Sequence, residues 1–280
     1  MRLLAYGILA GLASVALGCA APGEEDEEQP AAAADAVVGG AETRDVPAIG
    51  YLAHGLQVEG RWLVVLPFCT GTLIAPDVVL TAAHCVEEAK TKGYTLHFGT
   101  GVPSDPKVLV PAEEAVMHPA FASSAQRVYA FDVAYVVLSS PVRNVPVATI
   151  ADGPHEAGCD YVATGYGVHK DGYVYGDPIN EGDKSLRKAL SVCADERYVV
   201  SRSPVTNATI RTTSRTGALC VGDSGGPLRT DDTRIIHGVL SNLGPDQGDT
   251  TCTTGASAYY APVAYSRPFI AEGLAKSRAR

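Results

Sequence analysis

Ser224 sits in the run Gly222-Asp223-Ser224-Gly225-Gly226-Pro227. Glycines on both sides let the backbone turn tightly and approach a second molecule, leaving the hydroxyl exposed. A serine hydroxyl is a weak nucleophile alone and needs a base within hydrogen-bond reach. His84, in Thr81-Ala82-Ala83-His84-Cys85, could be that base. It follows the apolar run Val78-Val79-Leu80, which puts it at the end of a strand, beside a cysteine that a disulfide would hold still. Asp132 opens the run Phe131-Asp132-Val133-Ala134-Tyr135-Val136-Val137-Leu138. An acid entering such a run is buried, at a cost unless it is paired, and a histidine N–H is a natural partner. Singly, these residues read as a polar loop, a structural histidine and a braced acid. Together they form a nucleophile, a base and an orienting acid.

Bringing three distant residues together takes a rigid frame. The 280 residues suffice for one large domain or two small ones with a real core. Apolar residues at 46% and charged residues at 19% exclude a disordered chain. Short β-rich runs recur, such as Trp62–Leu66, Val78–Leu80, Lys107–Val110, Val133–Leu138 and Ile235–Leu240, separated by Gly, Pro, Asp and Ser clusters. That pattern predicts an all-β barrel or sandwich. One helix is expected near the end, where Pro268 suits a first turn and Phe269, Ile270 and Leu274 can share a face. The net charge of −9 and the lack of a basic stripe argue against nucleic-acid binding. Much of that charge is local, since Glu24, Glu25, Asp26, Glu27, Glu28 and Asp35 precede residue 37.

Met1-Arg2 followed by the apolar stretch Leu3–Leu17 has the length of a signal-peptide core and is short for a membrane span. It ends in Ala16-Leu17-Gly18-Cys19, which resembles a bacterial lipoprotein signal with Cys19 as the lipidated residue. An ordinary secretory signal cut near Ala20 or Ala21 is the alternative; both export the chain. Residues 19–36, acidic and alanine-rich, read as a tether or propeptide. Apart from Cys19, six cysteines remain: Cys69, Cys85, Cys159, Cys193, Cys220 and Cys252. In an exported chain an even number predicts three disulfides, with the connectivity left open by spacing alone. No C-x-x-C pair suggests zinc, and His54, His97, His118, His155, His169 and His237 do not cluster at ligand spacing. No metal or cofactor is implied.

With His84, Asp132 and Ser224 in this order, the chain resembles the chymotrypsin-like (trypsin-fold) serine endopeptidases over residues 37 to about 275. The resemblance implies an all-β fold of two packed six-stranded antiparallel β-barrels with a short C-terminal helix. On that frame residues 1–18 are a signal peptide, the first barrel spans about 37–150, the second about 151–265 and the helix about 266–278. It implies that Ser224 attacks a peptide carbonyl, that His84 relays the proton, that Asp132 fixes His84, and that the N–H groups of Gly222 and Ser224 bind the oxyanion. It pairs Cys69 with Cys85 and Cys220 with Cys252, leaving Cys159 and Cys193 to join neighbouring strands of the second barrel. Val37-Val38-Gly39-Gly40 resembles a mature start, so cleavage after Ala36 would free an α-amine on Val37 to pair with Asp223.

The resemblance places Ala218, six residues before Ser224 and followed by Leu219, at the pocket floor, which would then lack the acid that selects Lys or Arg. Ser241 matches the serine that contacts the triad acid, while Leu243 and Ala258 take wall positions and favour small or medium apolar P1 residues. Such a pocket would accept Ala36, which makes the chain a candidate for its own activation. The expected partners are protein or peptide substrates and an activating protease. A monomer is expected, touching a membrane only through a lipid at Cys19. A protease-fold binding protein without catalysis is the alternative reading, disfavoured because the three residues and the oxyanion glycine are all present. An α/β-hydrolase or subtilisin-like enzyme would need another residue order and helical patterns that are absent.

Overall fold

Apolar runs too short for helices, broken by glycine and proline, leave the chain little choice but strands. The structure is a computed structural model that describes residues 38–43, 46–121, 129–169, 173–174, 188–195, 198–199, 208–230, 234–243 and 251–278. Six strands, β1 (Ile49–Val58), β2 (Arg61–Ala75), β3 (Val78–Thr81), β4 (Leu96–Val102), β5 (Asp105–Met117) and β6 (Ala134–Leu138), close into an antiparallel barrel in the order β1-β2-β3-β6-β5-β4. Glu59 and Gly60, at φ 49° and 77°, make the two-residue β1–β2 turn that such a hairpin favours. Six more strands, β7 (Gly158–Gly165), β8 (Lys188–Ala194), β9 (Ala208–Thr213), β10 (Pro227–Thr230), β11 (Ile235–Leu243) and β12 (Ala258–Pro262), close a second antiparallel barrel. The expected pair of six-stranded barrels is what the chain forms.

Leu52, Leu73, Val79, Phe98 and Val136 fill the first barrel, and Leu190, Ile210, Leu228, Leu240 and Tyr260 the second. Each such side chain contributes about 1.5–3 kcal/mol by leaving water. The C-terminal helix α2 (Arg267–Ala275) carries Pro268 in its first turn, as expected, and buries Phe269 and Ile270 against the core of the first barrel. Gly273 lies against Tyr135, where a Cβ would come within 2.7 Å of the ring. Three disulfides, Cys69–Cys85, Cys159–Cys193 and Cys220–Cys252, follow the pairing implied by the resemblance, and Cys159–Cys193 joins the adjacent strands β7 and β8.

One element departs from expectation. A second helix, α1 (Ala83–Lys92), begins directly after β3, so His84 stands in a first helical turn and not at the end of a strand. Its buried face is Ala83, Cys85, Val86 and Ala89, and Gly93 at φ 67° ends it as a left-handed cap.

Candidate active site

Strand pairing explains why His84 and Asp132 meet. β3 runs antiparallel to β6, with Thr81 opposite Ala134. His84 follows the end of β3, and Asp132 precedes the start of β6, so both stand at the same end of one strand pair. Ala82, at the helix N-cap, makes no side-chain cap hydrogen bond. The His84 N–H, one of the free donors of a helix start, donates instead to Asp132 Oδ1 at 2.9 Å. The His84 ring donates through Nδ1 to Asp132 Oδ2 at 2.7 Å, and the Ser241 hydroxyl donates to the same oxygen at 2.6 Å. Asp132 is thus 2% exposed and fully engaged. Burial pushes its carboxyl up, but the His84 imidazole beside it and the three donors outweigh that and hold it below the usual carboxylate range.

With Nδ1 committed as donor to Asp132, the second ring nitrogen of His84 is left as an acceptor, the tautomer a general base needs. Nε2 lies 3.6 Å from Cys85 Sγ, and that sulfur lies 3.7 Å from the carbonyl oxygen of Ser224. The sulfurs of Cys69 and Cys85 and the ring of His84 fall within 4.8 Å of one another, yet the sulfurs are bonded to each other. They offer no thiolate to a metal and act as a brace beside the ring.

The turn that carries Ser224 is fixed from several sides. Gly222 and Gly225 take φ of 100° and 84°, a region closed to most side chains. The Ser224 carbonyl accepts from the Thr70 N–H at 2.7 Å, and Gly225 N–H donates to Leu240 O at 2.8 Å, next to Ser241. Asp223 is wholly buried and accepts from the N–H groups of Gly167 at 2.7 Å and Cys220 at 2.8 Å. Gly165 and Gly167 make its cradle, since a Cβ on either would come within 2.6 Å of a carboxylate atom.

Val37 and Cys19 lie outside the described residues. Val38 is buried and forms a β-bridge with Ala218, whose N–H donates to the Val38 carbonyl at 2.9 Å. Ala218, Leu219 and Ala258 line one small cavity of about 10 Å³, together with Leu190, Val192 and Ala256. No charged side chain borders it. Leu243 is half-buried in the same apolar cluster as Leu219 and Ala258, and Ser241 faces Asp132. Sequence reasoning passed over Thr70, which contacts Gly222, Ser224 and Tyr166, because a threonine in an apolar strand carries no signal by its type.

The sequence pattern of the family described as Trypsin matches residues 38–270. Trypsin iota of Drosophila melanogaster is 25% identical over 237 residues, covering 81% of this chain and 89% of that protein. Trypsin zeta of the same fly is 29% identical over 286 residues, covering 96% and 97%. The snake venom serine protease pallase of Gloydius halys is 29% identical over 231 residues, covering 75% and 87%. Among solved structures, neuropsin, a serine protease expressed in the limbic system of mouse brain, superposes with a TM-score of 0.62 at 20% identity, over 84% of this chain and 98% of that one. That likeness speaks for the fold.

Proposed function

The chain belongs to the trypsin family of serine proteases, and on that premise we propose that it is an exported endopeptidase working through Ser224, His84 and Asp132. In this reading Ser224 Oγ attacks the scissile carbonyl while His84 Nε2 takes its proton. The imidazolium then gives that proton to the leaving amine, and water repeats the cycle on the acyl-enzyme. Asp132 holds the tautomer and balances the imidazolium charge. The N–H groups of Gly222 and Ser224 receive the oxyanion, each worth about 3 kcal/mol of barrier. The observation that carries the reading is the buried Asp132 carboxylate taking both the ring N–H and the main-chain N–H of His84.

The same proposal makes the chain a zymogen cut between Ala36 and Val37. Two features support it: Asp223 is buried in a glycine cradle, and Val38 is pinned to Ala218. A freed Val37 amine would bring a positive charge to Asp223. The uncharged surroundings of Ala218 support small or medium apolar P1 residues over Lys or Arg. Export rests on residues 1–18, and a lipid on Cys19 rests on Ala16-Leu17-Gly18-Cys19 alone.

A fluorophosphonate probe tests the core of this. Chain cut at residue 37 should be labelled, Ser224→Ala should not, and a peptide library should show cleavage after small or medium apolar residues. An unlabelled wild type points to a non-catalytic binding protein, and an active form starting elsewhere than Val37 removes the activation step. A Ser224→Ala chain trimmed at the normal rate, alone in buffer, removes self-activation.

A further inference from the structure

We infer that Thr70 is a positioning residue for the reaction, holding the oxyanion loop and the nucleophile in place from the first barrel; this rests on the catalytic reading above. Thr70 lies in β2, directly after Cys69, and is fully buried. Its hydroxyl donates to the Gly222 carbonyl at 2.9 Å and accepts from the Tyr166 N–H at 3.0 Å. Its own N–H donates to the Ser224 carbonyl at 2.7 Å, and its carbonyl accepts from the Thr81 hydroxyl at 2.9 Å. One residue therefore grips the Gly222–Asp223 and Ser224–Gly225 peptides, on either side of the peptide that carries the Ser224 N–H.

The grip reaches further. Tyr166 N–H goes to Thr70, and the next N–H in the chain, that of Gly167, goes to Asp223. The turn at 165–167 is thus shared between the Thr70 hydroxyl and the Asp223 carboxylate. A Cβ on Gly225 would come within 2.3 Å of the Thr70 carbonyl oxygen, and one on Gly226 within 3.4 Å of the Thr70 methyl. Gly222 sits at φ 100°, with no side chain to limit its backbone. A bond to its carbonyl from a rigid strand fixes the Gly222–Asp223 peptide, which lies between the two peptides that carry the Gly222 and Ser224 N–H groups, and so limits how those donors can turn. Placement errors of this kind cost rate out of proportion to their size.

Three variants separate the hydroxyl from the rest of the side chain. Thr70→Ser keeps the oxygen and drops the methyl, Thr70→Ala removes both, and Thr70→Val keeps the shape but not the donor. Each is cut at residue 37 and its active sites are titrated. Steady-state constants, the affinity for a peptidyl boronate that forms a tetrahedral adduct, and Tm are then compared. Thr70→Ala and Thr70→Val should lose about ten- to a hundred-fold in kcat, with KM nearly unchanged and boronate affinity falling in step. Thr70→Ser should stay within about three-fold of wild type. If Thr70→Val does not fold, the Ser and Ala pair still decides. Equal kcat per titrated site in the Ser and Ala variants would overturn the inference, as would a loss confined to KM or Tm. A wild type that hydrolyses nothing sinks the catalytic reading and this inference together. An active wild type with an unimpaired Thr70→Ala sinks this one alone.

Discussion

Asp132 and Asp223 are both sealed from water, at 2% and 0% exposure, and they are held in opposite ways. Asp132 is ringed by side chains, the His84 ring and the Ser241 hydroxyl, with one main-chain N–H added. Asp223 receives main-chain donors from two loops and leans on glycines that leave no room for a Cβ. Each must recover the cost of its burial from partners. A ring of side chains that includes an imidazole can follow a change of charge through a cycle. A ring of backbone N–H groups cannot, but it can order the segments that carry those groups. The first arrangement suits chemistry and the second suits construction of the turn that presents Ser224. The Tyr260 hydroxyl next to the second site is held far above its ordinary range, first by its burial and then by the charge on Asp223.

The contrast is broken or kept by removing each charge with little change of shape. Asp132→Asn should lower kcat about ten-thousand-fold, because the amide favours the wrong His84 tautomer, with little change in the fold around Asp223. Kinetics on titrated enzyme checks this, and a near-normal kcat would erase the distinction between the two acids. Asp223→Asn should cost folding stability as well as the activity that a Val37–Asp223 pair would support. An amide NH₂ in that cradle would face the N–H of Gly167 or Cys220, donor against donor. A loss of about 3 kcal/mol in the denaturant-derived stability is expected. If Asp223→Asn keeps its stability and loses only activity, the constructional role assigned to it is wrong.

What could be read in the sequence follows the same division. The residues proposed for the chemistry stood out by type and order, and the strands by their short apolar runs. The six cysteines announced three crosslinks, and the resemblance gave the pairing. Helix α1 was hidden. Its ten residues have no capping side chain at Ala82, and its buried positions are alanines, a valine and a cysteine scattered among charges. The tie between Thr70 and Gly222 spans 152 positions, and no local pattern encodes it. The cradle of Asp223 was equally silent, because Gly165 and Gly167 look like turn residues until the carboxylate is seen against them. Short-range pattern marks functional groups, and long-range hydrogen bonding to backbone does not show in it.

His97 sharpens the comparison from outside, with the smallest expected effect. It is a third buried ionisable group, but only half provided for. Its Nδ1 lies 2.8 Å from the Thr95 carbonyl, while Nε2 is buried without a partner. Burial pushes its pKa below the ordinary 6.5, the Thr95 carbonyl opposes that in part, and nearby His54 lowers it further. The folded state therefore keeps His97 neutral where the unfolded chain is protonated. Stability is complete above pH 6.5 and drains as the pH falls from there toward the lower folded value. Asp132 behaves in the other range, with its share lost only as the pH falls below the ordinary 3.8 toward its depressed value. His118 and His237 are lowered by burial as well and share the upper window, so the informative quantity is a difference. His97→Phe should flatten part of the stability loss between pH 7 and 5 and leave the acid limb below pH 4 in place. Trp62, the single tryptophan, has its ring centre 4.3 Å from that of His97 and offers a fluorescence signal for the same titration. Superimposable curves for wild type and His97→Phe would mean that a missing partner costs a buried group nothing here, and the reasoning applied to both carboxylates would lose its basis.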